Sequence, residues 1–130
     1  MEHYRSAFVC RDIEALLDCF AFPVQIVGIV GSSASVFLAS KDEWRGSIQN
    51  LLNGYERLGV TNAVPLSLDV SEPLRGTAIV TLHWQLQRTD GSQVYDFRAA
   101  YTLAWIGGNP RIVAIAHDEL PKLRAASEGT

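Results

Sequence analysis

Long apolar runs are missing from this chain. None reaches the ~18 residues that a membrane-spanning helix needs, so no transmembrane segment is expected. Cysteine is scarce. Cys10 and Cys19 stand without a C-x-x-C motif or paired histidines beside them. A structural zinc site draws on about four such ligands, so no metal is expected, and both thiols are read as reduced and buried. Positive charge is short as well: 11 Lys and Arg against 14 Asp and Glu, a net charge of −3. With no basic stripe, neither nucleic acid nor an anionic membrane is an expected partner. There is no G-x-S-x-G elbow, no G-x-G-x-x-G and no Walker pattern, so no cofactor is expected. Met1 is followed at once by polar residues. No signal peptide is visible, and a cytoplasmic location is expected.

What the chain does have is a core. Hydrophobic residues make up 48% and charged residues 19% of 130. That suits one domain spanning 1–130 and argues against disorder. The most informative stretch runs from Thr77 to Trp105. Two long alternating runs flank Asp90-Gly91, a dipeptide that supplies the left-handed backbone of a hairpin turn. On the first run Ala78, Val80, Leu82, Trp84 and Leu86 share an apolar face, and Thr81, His83, Gln85 and Gln87 the polar one. On the second, Tyr95, Phe97, Ala99, Tyr101, Leu103 and Trp105 form the more aromatic face.

The rest falls into order around that hairpin. Glu2–Cys10 carries an apolar stripe of Tyr4, Ala7 and Phe8 and predicts a helix. Asp12 can cap a second helix that buries Ile13, Leu16, Leu17 and Phe20, and Ala21-Phe22-Pro23 stops it. Val24–Val30 and Ser35–Ala39 read as paired strands around Gly31. Ser40 with Glu43 three residues on is a capping-box signature. It opens a helix through Trp44, Ile48, Leu51, Leu52, Tyr55 and Leu58, closed by Gly59. Asn62–Leu74 holds a strand whose Pro65 points to a sheet edge. Arg111–His117 is the last strand, and residues 120–130 are read as a frayed polar tail. This pattern predicts an α+β fold: about six antiparallel strands in a strongly curved, cone-shaped sheet wrapped around three helices, with a hollow at its wide end.

The spacing Tyr4-x-x-Ala7-Phe8-x-x-x-Asp12, the helix after it, and the closing strand, Gly-rich turn and Arg111-Ile112-Val113 resemble nuclear transport factor 2-like (cystatin-like) domains. The resemblance covers nearly the whole chain and implies the cone fold. It implies little about function, because the superfamily includes ketosteroid isomerases, SnoaL-like cyclases, epoxide hydrolases and dehydratases. Tyr4 and Asp12 keep the isomerase spacing. The isomerase general base falls on Gly28, and its second oxyanion donor on Thr102 or Tyr101. Neither position carries an acid, so isomerase chemistry is not expected.

The ligand-cavity candidates are Tyr4, Tyr55, Trp84, Phe97, Tyr101 and His117. Each has a plainer alternative as core. Trp84 would form the cavity floor. Tyr55 and Trp44 can equally be helix–sheet contacts. By the resemblance, Val113, Ile115 and His117 point inward on the last strand, which makes His117 the catalytic candidate, as acid or base. Asp118 and Glu119 are expected to be solvated. Asp96 and Arg98 are expected to form a cross-strand surface ion pair. His83, Gln85 and Gln87 are assigned to the outer surface or a subunit interface.

Three functions are consistent with this pattern. One is a binding domain for a small apolar molecule. Another is a SnoaL-like enzyme acting on a small apolar or polyketide-like substrate, with Tyr4 or Tyr101 orienting it. The last is a structural dimer module. A homodimer through the outer sheet face is expected, with Thr81, His83, Gln85 and Gln87 lying opposite small Ala100, Thr102 and Ala104.

Overall fold

Two of the helices start where a side-chain oxygen holds a free amide. The computed structural model describes residues 2–128. Helix α1 spans Glu2–Val9. Asp12 caps α2 (Ile13–Leu17), its carboxylate accepting the Ala15 N–H at 3.1 Å. Ser40 caps α3 (Lys41–Leu58). Its hydroxyl accepts the Glu43 N–H at 3.2 Å, and the Glu43 carboxylate accepts the Ser40 N–H at 2.9 Å. Such a cap contributes about 1 kcal/mol. Gly59 ends α3 at φ 76°, a conformation that side chains with a Cβ resist.

The strands are β1 (Phe20–Val30), β2 (Ser33–Ala39), β3 (Asn62–Ser71), β4 (Thr77–Gln87), β5 (Gln93–Ile106) and β6 (Asn109–His117), followed by helix α4 (Glu119–Glu128). They form one sheet in the order β2-β1-β6-β5-β4-β3. The α+β architecture matches the sequence expectation, and β3 with Pro65 is indeed an edge. Bulges near Phe22, Leu66 and Val113 bend the sheet, so that one face curls over the helices. Alternation on β4, and on β5 as far as Tyr101, is as predicted, whereas Trp105, expected on the inward face, is exposed near the strand's end. Ala78, Val80, Leu82, Trp84 and Leu86, with Tyr95, Phe97, Ala99 and Tyr101, are all buried.

Several expectations need correction. The sheet is mixed, because β1 runs parallel to β6. There are four helices among the described residues. The tail expected to fray is helix α4 as far as Glu128, and residues 129 and 130 lie outside the described residues. Glu119, Leu123 and Ala126, spaced at four and three, give that helix a face to pack. Leu123 rests on Gly54 of α3, where an added Cβ would come within 3.2 Å of its Cδ1. Phe20 belongs to β1 and not to α2, and Pro23 lies inside the strand beside its bulge. Val113 sits at the β6 bulge, so Ile112 takes the buried position in its place. Cys10 is exposed and Cys19 half-buried, since Cys10 falls in the turn after α1, off its apolar stripe.

Candidate functional site

Between the helices and the inner face of the sheet lies a hollow of about 150 Å³. Tyr4, Tyr55, Trp84, Phe97, Tyr101 and His117 all stand on its wall. They come from five elements: α1, α3, β4, β5 and β6.

One end is built from rings. The Trp84 indole N–H donates to the Tyr101 hydroxyl at 3.0 Å. Tyr4 meets Tyr101 edge to face, with ring centroids 5.3 Å apart, and Phe8 stacks on Tyr4 in the same way at 5.0 Å. Trp84 and Tyr101 are 4% and 2% exposed. Burial pushes the hydroxyls of Tyr4 and Tyr101 upward in pKa, so both are neutral donors throughout the working pH range. The Trp44 indole N–H, also on the wall, is buried without a hydrogen-bond partner.

The other end is acidic. Glu119, expected in solvent, is 5% exposed and forms part of the wall. Its Oε2 accepts the Tyr95 hydroxyl at 2.7 Å and the Tyr55 hydroxyl as well. Among the described residues its Oε1 accepts no hydrogen bond. Burial pushes the Glu119 carboxyl up to about 7, and nearby Asp118 adds to the rise. The two tyrosine hydroxyls pull against it, because they favour the ionised form. His117 stands beside it, its Nδ1 accepting the Glu119 N–H at 3.3 Å. The neutral ring therefore carries its proton on Nε2. Burial lowers the His117 pKa against the opposing charge of Asp118, which keeps the imidazole neutral.

Sequence reasoning missed Glu119 because the residues that hold it are far away in the chain. A usable signal existed: Tyr55 and Tyr95 both faced inward, and buried hydroxyls need partners. Gly28, at the isomerase base position, pairs with His117 across the parallel β1–β6 ladder, so an imidazole stands on the strand next to that position. Thr102 is on the outer face.

The outer face also differs from expectation. Asp96 pairs with His83 on β4 at 2.5 Å and not with Arg98. That contact holds the Asp96 carboxyl below its usual range. The strand register sets His83 opposite Arg98, one diagonal from Asp96, whereas residues two apart on one strand point away in parallel. The Arg98 backbone N–H instead donates to Asp118 at 2.8 Å. Among the described residues no cluster of three or more His, Cys, Asp or Glu could hold a metal, and no helix is long and apolar enough to cross a membrane.

The architecture has many counterparts among solved structures. An NTF2-like protein of unknown function from Shewanella oneidensis MR-1 is 12% identical, covering 90% of this chain and 91% of that one at a TM-score of 0.68. A protein of unknown function with a cystatin-like fold from Nostoc punctiforme PCC 73102 is 11% identical, covering 90% and 83% at 0.69. A ketosteroid isomerase-like protein from Erwinia carotovora atroseptica SCRI1043 is 16% identical, covering 90% and 88% at 0.65. At these identities the likeness establishes the fold alone. No curated protein matches the chain. A family model described as NTF2-like protein (DUF6841) matches residues 1–120, nearly all of the cone and its lining, and the chain belongs to that NTF2-like family.

Proposed function

We propose that the chain binds a small, mainly apolar molecule in the hollow between helices and sheet. The observation that supports this is the lining itself. Aromatic side chains from both layers surround a space of about 150 Å³, with few polar atoms facing it. Ligand sites are commonly of this kind, apolar with a small number of placed polar groups. A dry engineered cavity of about this size takes up benzene. The ligand is therefore sized at one ring with a short substituent that reaches Glu119 and His117. Isothermal titration with benzyl alcohol should give one site per chain and raise Tm. Trp44 and Trp84 emission should change as well, since both line the space. Single-ring aromatics that neither bind nor raise Tm at their solubility limit would remove this reading.

A second reading rests on Glu119. A carboxyl titrating near neutrality can take or give a proton at working pH. With neutral His117 beside it, and Tyr4 or Tyr101 to orient a carbonyl, the chain could act as a SnoaL-like enzyme on a small apolar or polyketide-like substrate. Acetophenone in heavy water tests this. Wild type should speed deuterium entry into its methyl group over buffer, and Glu119→Gln should not. Equal rates for wild type and buffer would leave binding alone.

We also propose a cytoplasmic homodimer paired through the outer sheet face. Small side chains at Ala100, Thr102, Ala104, Ala114 and Ala116 neighbour one another on that face and leave room for close approach. Two unpaired thiols suit a reducing compartment. Sedimentation equilibrium should return twice 14.3 kDa; a monomer at high concentration would remove the proposal.

A further inference from the structure

Resting on the pocket reading above, we propose that the ligand is an amine, its ammonium group paired with Glu119 Oε1 and its apolar body held among the aromatic rings. The first support is the asymmetry of the carboxyl. Oε2 takes both tyrosine hydroxyls, while Oε1 accepts nothing among the described residues on a residue that forms part of the cavity wall. An acceptor without a protein partner on the cavity lining is open to a donor from the ligand.

The second support is the charge that faces it. Tyr55 comes from α3, Tyr95 and Tyr101 from β5, Tyr4 from α1, His117 from the end of β6 and Asp118 from the turn before α4. The tyrosines and His117 are neutral, and Asp118 is an acid. Among the described residues no ion pair reaches Glu119. Arg5, on the rim, is already held by the Ala63 carbonyl at 2.6 Å and by Asn62 Oδ1 at 2.8 Å. Among the described residues the fold thus buries an acid and sets no cation in an ion pair with it.

The third support is the wall. Aromatic faces attract a cation as well as packing an apolar body. An ammonium would gain a charge-assisted hydrogen bond to Oε1 together with these faces. A carboxylate ligand would instead meet the carboxyls of Glu119 and Asp118. An alcohol would gain a neutral hydrogen bond only.

The test compares benzylamine, benzyl alcohol and benzoate by isothermal titration. At pH 8 benzylamine should bind about tenfold or more tighter than benzyl alcohol, and benzoate weakest. Below about pH 7 the free protein holds a proton on Glu119. Moving from pH 8 to pH 6 should therefore weaken benzylamine about tenfold and leave benzyl alcohol unchanged. At pH 7 buffers of differing ionisation heat should report release of about half a proton per benzylamine bound, as Glu119 ionises to meet it. In Glu119→Gln the preference for the amine over benzyl alcohol and the proton release should both vanish. If that variant fails to fold, the wild-type proton release decides alone. Benzyl alcohol binding as tightly as the amine, a preference that survives in Glu119→Gln, or an absence of proton release would overturn the proposal and leave the pocket reading standing. Binding of no probe would overturn both.

Discussion

The two ends of the hollow use the same residue type for opposite purposes. At the ring end, the Tyr101 hydroxyl accepts from Trp84, so these two polar groups satisfy each other. At the acidic end, Tyr55 and Tyr95 give their hydroxyls to a carboxyl whose other oxygen is left open. The first arrangement is uncharged at any working pH. The second changes charge near neutrality. Tyrosine is structural where its partner is an indole and electrostatic where its partner is an acid, so the residue's identity alone does not tell which role it plays.

The largest effect that would break this contrast is expected at the ring end. Trp84→Ala removes a buried aromatic wall and leaves Tyr101 without its donor. It should cost about 3–5 kcal/mol in urea unfolding, equally at pH 5 and pH 8. Next comes the acidic end. Unfolded Glu119 titrates in the ordinary carboxylate range, and folded Glu119 near 7. Between those values the folded chain holds a proton that the unfolded chain has lost. Stability from this group is therefore full below the ordinary range and is lost as pH rises through about 7. The loss should be on the order of 3 kcal/mol from pH 5 to pH 8. His117, whose pKa the fold lowers, works the other way and adds stability as pH rises toward its ordinary value. The difference between wild type and Glu119→Gln across pH isolates the glutamate, and a constant difference would show that its charge does not change in that window. The smallest effects separate the tyrosines. Tyr101→Phe leaves a buried indole donor unpaired, at about 1–2 kcal/mol with no pH dependence. Tyr95→Phe removes a bond that favours the carboxylate, so the Glu119 midpoint should move above 7 when followed by carbon NMR of its side-chain carboxyl.

The ring end was legible in the sequence because its information is local. Alternation on β4 and β5 told which way Trp84 and Tyr101 point, and Ser40, Glu43 and Gly59 announced α3 by capping chemistry confined to neighbouring residues. The acidic end was not. Glu119 meets Tyr55 and Tyr95 across separations of 64 and 24 residues, and a carboxylate after the last strand reads as solvated unless α4 is known to dock. Gly54 is the seat for Leu123, a contact that likewise depends on α4 docking and that no local pattern announces. The bulge at Val113 reversed which neighbour faces inward, and nothing in Arg111–His117 marks the slip. Pairing between β1 and β6, nearly the length of the chain apart, leaves no trace in either strand.

That pairing has a consequence for how the molecule comes into being. The last strand made is inserted in the middle of the sheet, between β1 and β5. Until β6 has emerged from the ribosome, a nascent chain can hold a β1–β2 hairpin and a β3–β4–β5 meander, but no ladder joins them. The seam is closed only by Asn109–His117, so a chaperone guarding the young polypeptide would have two separate half-sheets to keep apart.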